Sequence, residues 1–236
     1  MKILLSITSL GFALYAINCN AALIESSGIM KSEKRVASNW RAAMLEGNGI
    51  IESEKRKISE FNSIDISGYY EVEITSQKAP SLEISGDSNI LPLILTEVIN
   101  GVLVISSNRS FATKNIVKLK VSAINIENLS SSGASRIVVD NLNNERLNVN
   151  ASGAGSTEIG GKTKELYINT SGSVNLKAKN LYSDKVNIDL SGASNVAVYA
   201  AEELNAKVSG VGHINYYGNP KVVNRDVSGL GVIKKQ

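Results

Sequence analysis

Few residues of this chain have the types and spacing that acid–base or metal chemistry requires. His213 is the only histidine, and its glycine-rich surroundings predict a turn with a structural or solvated imidazole. The outward carboxylates that could bind Ca²⁺ are Asp184, Asp189, Glu202 and Glu203. They form neither an EF-hand loop nor a Gly-Gly-x-Gly-x-Asp repeat, so we interpret them as a solvated face. We therefore expect no metal, no cofactor and no catalytic residue.

Nucleophilic catalysis finds no better support in the residue spacing. Cys19 is the only cysteine, and no group of histidines and cysteines has the spacing of a metal site. Serines are abundant, but no Ser/His/Asp arrangement can be argued because most of them stand beside glycines in predicted turns. The glycines at 153 and 155 are not followed by a helix pattern, so they do not predict a phosphate-binding loop.

The serines belong to a repeat. Ser-Gly pairs begin at Ser132, Ser152, Ser171, Ser191, Ser209 and Ser228, at intervals of 20, 19, 20, 18 and 19 residues. Apolar residues alternate with polar ones on both sides of each pair, as in Leu147-Asn148-Val149-Asn150. One repeat therefore predicts a strand, a Ser-Gly turn, a second strand and a connecting turn.

Stacking such units buries the apolar face that one unit alone leaves exposed. The pattern predicts an all-β fold, a parallel β-helix or β-solenoid of ~19-residue coils with Ser-Gly turns. A period near 19 residues is too short for βαβ units, which need about 30 residues. An up-and-down meander of hairpins is the alternative, although the coils lack Asn-Gly or Asp-Gly hairpin signals. Earlier pairs at Ser67-Gly68 and Ser85-Gly86 extend the repeat toward the amino terminus.

Three segments follow from composition. Residues 1–21 resemble a secretory signal peptide, with Lys2, an apolar run and a small-residue exit at Ala21-Ala22. Lipidation of Cys19 is the alternative, but residues 16–18 depart from the usual lipoprotein pattern. Residues 22–57 predict a polar leader, partly helical or disordered, and residues 58–236 predict the solenoid domain. The protein is then exported, to the periplasm, the outer membrane or the medium, with no transmembrane segment after cleavage.

The charge of the chain excludes one class of partner, and the end coils require protection of their strand edges. The chain has 25 basic and 22 acidic side chains, and this near balance predicts no attraction to nucleic acid. The end coils of a solenoid carry unpaired strand edges, so either a cap or association into a homo-oligomer must protect them.

Four blocks of sequence carry a family resemblance. They are the Gly-Asn-Gly run at 47–49, residues 61–68, residues 82–90 and residues 100–105. In this order they resemble the bacterial head GIN domain family, and the resemblance covers roughly residues 47–236. It implies a secreted or envelope protein with a β-helical fold similar to pectin lyases and an adhesin role related to autotransporter heads. Tyr69-Tyr70 departs from the family, which has small residues after Ser67-Gly68.

Outward side chains on regular strands are the candidate ligand contacts. They are Asn148, Asn169 and Asn187, the tyrosines Tyr167, Tyr182, Tyr199 and Tyr217, and the corner pair Tyr69 and Tyr70. The simpler interpretation is that stacked asparagines and tyrosines only brace the sheet.

Three functions remain open. The first is a non-catalytic adhesin-like module that binds a glycan or a protein surface. The second is an envelope sensor or scaffold that binds another envelope protein, and the third is a carbohydrate-active enzyme of pectin-lyase-like fold.

Overall fold

The structure is a computed structural model that describes residues 44–236, and this part of the chain is built from strands. In chain order they are β1 (Leu45–Glu46), β2 (Ile51–Arg56), β3 (Ser63–Gly68), β4 (Glu71–Thr75), β5 (Ser81–Asp87), β6 (Ile94–Ile99), β7 (Val102–Ser107), β8 (Phe111–Ala112), β9 (Lys118–Ser122), β10 (Asn128–Gly133), β11 (Arg136–Gly153), β12 (Ser156–Gly172), β13 (Asn175–Leu190), β14 (Asn195–Val208), β15 (His213–Tyr217), β16 (Val222–Val227) and β17 (Val232–Lys235). A short 3-10 helix, Leu91–Leu93, precedes β6.

Some predictions fall outside this part of the chain. The predicted signal peptide, Cys19 and most of the predicted leader lie before residue 44. Among the described residues, no helix has the length and apolar character needed to cross a membrane.

The carboxyl-terminal strands stack as parallel coils. Strands β11, β12, β13 and β14 pair in parallel, and a column of aligned inward residues, Leu147, Leu166, Val186 and Leu204, is buried. Such columns join into one continuous apolar core. The predicted parallel β-solenoid is confirmed, and the hairpin meander is excluded because successive hairpin strands would pair antiparallel.

Each coil contributes to two sheets, one on either side of its Ser-Gly corner. The first sheet contains the segments before the corner, in the spatial order β7, β3, β10, β11, β12, β13, β14 and β16. The second sheet contains the segments after the corner, in the order β9, β4, β11, β12, β13, β14, β15 and β17. Long strands such as β11 serve both sheets, with a register shift between Val139 and Leu142 where the chain bends.

Glycines form a close-packed column at the Ser-Gly corners. Gly172 has a φ of +97°, and a Cβ on it would lie 2.5 Å from the carbonyl oxygen of Gly153 in the preceding coil. The next amide, Ser173 N–H, donates to that same oxygen at 2.7 Å. Gly210 and Gly229 do not have positive φ but face the same steric contact. Glycine is therefore required at these corners by the close approach of the coils as well as by backbone conformation.

Corner serines form hydrogen bonds with the backbone of the preceding coil. The hydroxyl of Ser191 donates to the carbonyl oxygen of Thr170 at 3.0 Å, and Ser152 makes the equivalent bond to Ser131 at 3.4 Å. These bonds join each coil to the one before it and use the hydroxyl groups in backbone contacts.

The amino-terminal end departs from the repeat. Ser67-Gly68 stacks directly on Ser132-Gly133, 65 positions later. The intervening chain turns back and adds β7 and β9 on the far side of β3 and β4. Strand β6 pairs antiparallel with β7 through a turn at Asn100-Gly101, where both residues have positive φ. Because these strands leave the regular coil path, the Ser-Gly period is obscured between Gly86 and Ser132.

Two predictions are corrected at this end. Ser85-Gly86 is not a coil corner, because both residues lie inside β5, which pairs antiparallel with β9 and with β2. Residues 51–56, placed in the leader by their charge, form the edge strand β2. A solvent-exposed edge strand tolerates charged side chains at its outward positions, so the charged composition of residues 51–56 did not indicate a strand.

Asp87 is the centre of a polar cluster that holds the amino-terminal end. Its side chain is buried, in a residue only 1% exposed, and it accepts hydrogen bonds from the Thr113 hydroxyl, from Asn115 Nδ2 at 3.1 Å and from Gly49 N–H at 3.0 Å. The Thr113 bond is the largest cause that lowers the pKa of Asp87, the other two bonds add to it, and burial opposes them. A Cβ on Gly47 would collide with this carboxylate.

Asparagines complete the same cluster. Asn48 Nδ2 donates to the Ser88 hydroxyl at 2.9 Å, and Asn89 Nδ2 donates to the Glu46 carbonyl at 2.8 Å. The 47–49 run and residues 87–89 of the 82–90 block, which carry part of the family resemblance, are thus the two sides of one structural contact.

Candidate functional site: a polar groove on the first sheet

Two rows of outward side chains run across the strands of the first sheet. The amide row consists of Ser63, Asn128, Asn148, Tyr167, Asn187, Asn205 and Asn224, which are aligned on neighbouring strands. The mixed row, two residues further along each strand, consists of Asp65, Ser130, Asn150, Asn169, Asp189, Lys207 and Asp226. Because side chains alternate between faces, both rows point away from the core.

Most of the amide row is a hydrogen-bonded ladder. Asn224 Nδ2 donates to Asn205 Oδ1 at 2.7 Å, and Asn205 Nδ2 donates to Asn187 Oδ1 at 3.0 Å. At the other end, Asn148 Nδ2 donates to Asn128 Oδ1 at 2.9 Å. These hydrogen bonds join neighbouring strands and brace the sheet.

Tyr167 interrupts this ladder. Its ring stands between Asn148 and Asn187 and cannot pass on the amide-to-amide hydrogen bond. Arg146, on the β11 side, lies over the ring with its guanidinium carbon 5.6 Å from the ring centroid. The Tyr167 hydroxyl donates to Glu165 at 3.4 Å.

An ion pair fixes the arginine beside the ring. Arg146 contacts Glu165 at 2.7 Å, and this hydrogen bond is the main cause that raises the pKa of Arg146 and lowers the pKa of Glu165. The pair is largely solvated, so its role here is to orient the guanidinium and not to add much stability.

An open groove begins at Tyr167 and extends across β13, β14 and β16. Its volume is about 360 Å³, and its outward lining residues are Tyr167, Asn169, Asn187, Asp189, Asn205, Lys207, Asn224 and Asp226. A volume near the lower end of the ~300–1,000 Å³ range for ligand sites suits one small unit of a longer ligand. A second depression, over the mixed row and the corner serines, has a volume of about 620 Å³ and shares Asn169 and Asp189 with the groove.

Charges in the groove balance. Asp189 and Asp226 flank Lys207 along the mixed row. Arg225, at an inward position of β16, donates to the Tyr216 hydroxyl at 2.5 Å and lies 5.4 Å from that ring's centroid. Two acidic and two basic groups therefore give the groove no net attraction for a polyanion.

The structure divides the predicted contact residues between two sheets. Asn148, Tyr167, Asn169 and Asn187 come together on the first sheet. Tyr199 and Tyr217 form a column with Tyr182 that is aligned on β13, β14 and β15. The Tyr182 and Tyr199 ring centroids are 4.9 Å apart with a 30° angle between the ring planes, so the two rings pack against each other. This column lies away from the groove.

Tyr69 and Tyr70 behave differently from each other. Tyr69 is 57% exposed, whereas Tyr70 is 1% exposed and packs in the core. Burial raises the pKa of Tyr70, and a hydrogen bond with Ser107 opposes this. The prediction of Tyr70 as a contact residue is therefore wrong, because its ring fills the first corner beneath Gly68.

The residues considered for catalysis are scattered. His213 begins strand β15 instead of lying in a turn, and it is exposed between Asn195 and Val232 in the second sheet. Asp184 and Glu202 lie outside the groove lining, and only Asp189 of the four predicted carboxylates lines it. Among residues 44–236, no group of three or more histidine, cysteine or acidic side chains could hold a metal ion.

Sequence reasoning missed half of the groove. Asn205, Lys207, Asn224 and Asp226 occupy the same repeat positions as Asn187 and Asp189, two and four residues before a corner serine. Extending those two positions through every coil would have found them.

Comparison with known proteins agrees with this architecture. The stacked parallel coils define a β-solenoid with polar outer rows. A family model described as "Putative auto-transporter adhesin, head GIN domain" matches residues 60–220. The chain belongs to this family, and the sequence resemblance is confirmed. A search of curated proteins found no match.

Several solved structures have a similar fold. A "putative adhesin" from Bacteroides fragilis is 22% identical with a TM-score of 0.68, covering 81% of this chain and 100% of that chain. A "putative lipid binding protein" from Parabacteroides distasonis is 23% identical with a TM-score of 0.54, covering 82% and 99%. A "putative adhesin" from Parabacteroides merdae is 19% identical with a TM-score of 0.52, covering 82% and 99%. At these identities the likeness concerns the fold.

Proposed function

We propose that this protein is an exported, non-catalytic adhesin-like module whose groove on the first sheet binds a surface glycan. The observation that carries the proposal is the groove itself, which combines amide and carboxylate groups with one aromatic ring. Amides and carboxylates form paired hydrogen bonds with hydroxyl groups, and an aromatic ring supplies apolar contact at low entropic cost. Family membership and the adhesin names of similar structures support the class.

Two alternatives give different results in the same assays. An envelope scaffold would bind a protein instead of a glycan. A carbohydrate-active enzyme would use Asp189 and Asp226, which stand two strands apart, about 10 Å at the usual strand spacing and near the upper limit for an inverting pair. Both carboxylates are exposed, whereas a general acid at neutral pH needs surroundings that keep it protonated. The geometry therefore favours binding.

Binding of the labelled mature protein to isolated envelope and host-surface fractions tests the proposal. Periodate oxidation of the fraction should abolish binding, whereas protease treatment should leave it intact. Asp189→Ala should weaken binding, and Asp140→Ala, an exposed carboxylate on the second sheet, should not. Loss of binding after protease treatment alone would support the scaffold, and glycan cleavage that Asp189→Asn abolishes would support the enzyme.

Export has a direct test of its own. Fractionation with mass spectrometry of the mature amino terminus should place the protein outside the cytoplasm and show cleavage after Ala21. A lipid on Cys19 would instead indicate a membrane-anchored form, and an uncleaved cytoplasmic protein would contradict the proposal.

A further inference from the structure

We infer that the Tyr167 end of the groove is a subsite for one neutral hexopyranose unit. This inference rests on the proposed function and deepens it by naming the ligand unit and the residues that hold it. The unit would stack on the Tyr167 ring and form hydrogen bonds with Asn187, Asn169 and Asp189.

The interrupted ladder supplies the polar partners. Elsewhere in the amide row the Nδ2 of one asparagine donates to the Oδ1 of its neighbour. At Tyr167 this bond is lost on both sides, and within residues 44–236 neither Asn187 Nδ2 nor Asn148 Oδ1 has a partner. In the mixed row, Asn169 donates to Asn150 at 3.1 Å, which leaves its own Oδ1 available beside Asp189. The groove therefore presents a donor and acceptors around one ring.

The ring has one face available. Arg146 lies over Tyr167 from the β11 side, whereas the groove extends on the β13 side. The face toward the groove is therefore the one that a ligand can cover. A pyranose ring is similar in size to a phenol ring, and its axial C–H groups suit the negative π-face of an aromatic ring.

The charged side chains near Tyr167 favour a neutral sugar over an acidic one. The carboxylate of Asp189 and the ammonium of Lys207 are aligned on neighbouring strands, and Asp226 stands on the far side of Lys207. A sulfated or uronic acid unit would meet Asp189 next to Tyr167, and this repulsion disfavours it. A neutral sugar can donate hydroxyl protons to Asp189 and accept from Lys207.

The inference is tested by titrating the mature chain with neutral tetrasaccharides of glucose, mannose and galactose. Calorimetry measures the affinity, and saturation-transfer NMR identifies the sugar protons that contact the protein. At least one should bind, with saturation reaching its ring protons. Tyr167→Ala should weaken binding about fivefold or more, as expected for loss of an aromatic stacking contact. Tyr167→Phe should retain most affinity, and Asn187→Ala should weaken it.

The matched control is Tyr182→Ala, which removes an exposed tyrosine from the second sheet and should leave affinity unchanged. A sulfated tetrasaccharide and an open-chain hexitol test charge and ring shape, and both should bind more weakly. The inference is overturned if no neutral tetrasaccharide binds at about 10 mM, if Tyr167→Ala binds as the wild type does, or if the sulfated sugar binds better. Periodate-sensitive binding to surface fractions that survives Tyr167→Ala would leave the proposed function standing and refute this subsite alone.

Discussion

The repeated coils and the amino-terminal end close the same apolar core by different means. In the coils, backbone packs on backbone: corner glycines approach so closely that a Cβ would lie within 3 Å of the preceding coil. At the amino-terminal end, side chains join antiparallel strands and loops, with the buried Asp87 carboxylate at the centre. One region depends on steric fit and the other on charge and hydrogen bonding. We therefore expect them to respond to different perturbations.

The largest expected loss of stability comes from a substitution at a glycine corner of the repeated coils. Gly172→Ala places a Cβ 2.5 Å from the Gly153 oxygen at a φ of +97°, and it should lower the free energy of unfolding by about 3 kcal/mol or more. Urea denaturation followed by circular dichroism measures the change.

Gly49→Ala is the matched control. Gly49 also has positive φ, +78°, but nothing lies within 4 Å of its added Cβ, so the loss should be about 1 kcal/mol. Equal losses for the two variants would show that φ alone, and not coil approach, requires glycine at the corners.

The second prediction concerns pH and the amino-terminal end. The folded-state pKa of Asp87 lies below its ordinary value because of the Thr113, Asn115 and Gly49 hydrogen bonds. Its stabilising contribution is therefore present above the ordinary carboxyl pKa of about 4 and is lost as pH falls through the lower folded-state value. The stability difference between wild type and Asp87→Asn should be largest at neutral pH and should shrink in acid.

Thr113→Val serves as the companion variant, because it removes the strongest donor to Asp87 and should reduce the same pH dependence in part. Thermal unfolding of the wild type and the two variants, at pH values from neutral to acidic, measures these stability differences. If the wild type and Asp87→Asn differ equally at every pH, the ionised carboxylate does not hold this end.

The smallest expected effect is in the outer amide row. Asn205→Ala removes hydrogen bonds to Asn187 and Glu203 and one from Asn224, and should cost about 1 kcal/mol because these groups are partly solvated. Asn195→Ala, an exposed asparagine on the same strand β14, should be nearly neutral. A loss as large as that of Gly172→Ala would contradict the view that backbone packing dominates the coils.

Several elements were predictable from local pattern. The Ser-Gly period and the alternation around it predicted the coils, the corners and the outward direction of Asn148, Asn169 and Asn187. Tyr70 was not predictable as a core residue, because its burial depends on the first corner closing over it. Strand β2 was not predictable either, because its charged residues resemble a leader until β5 is present to pair with it.

The sequence by itself determined the solenoid class, the glycine corners and which residues of each coil face outward. Those properties are local, since strand alternation has a period of two and Ser-Gly corners recur at a near-constant spacing from Ser132 onward. Only the tertiary structure decided that the Ser67 coil stacks on the Ser132 coil, that Asp87 meets the 47–49 loop, and that Tyr167 opens a gap in an otherwise continuous amide ladder. Each of these depends on which strands become neighbours, and pairing between distant segments is set by the packing of the whole core.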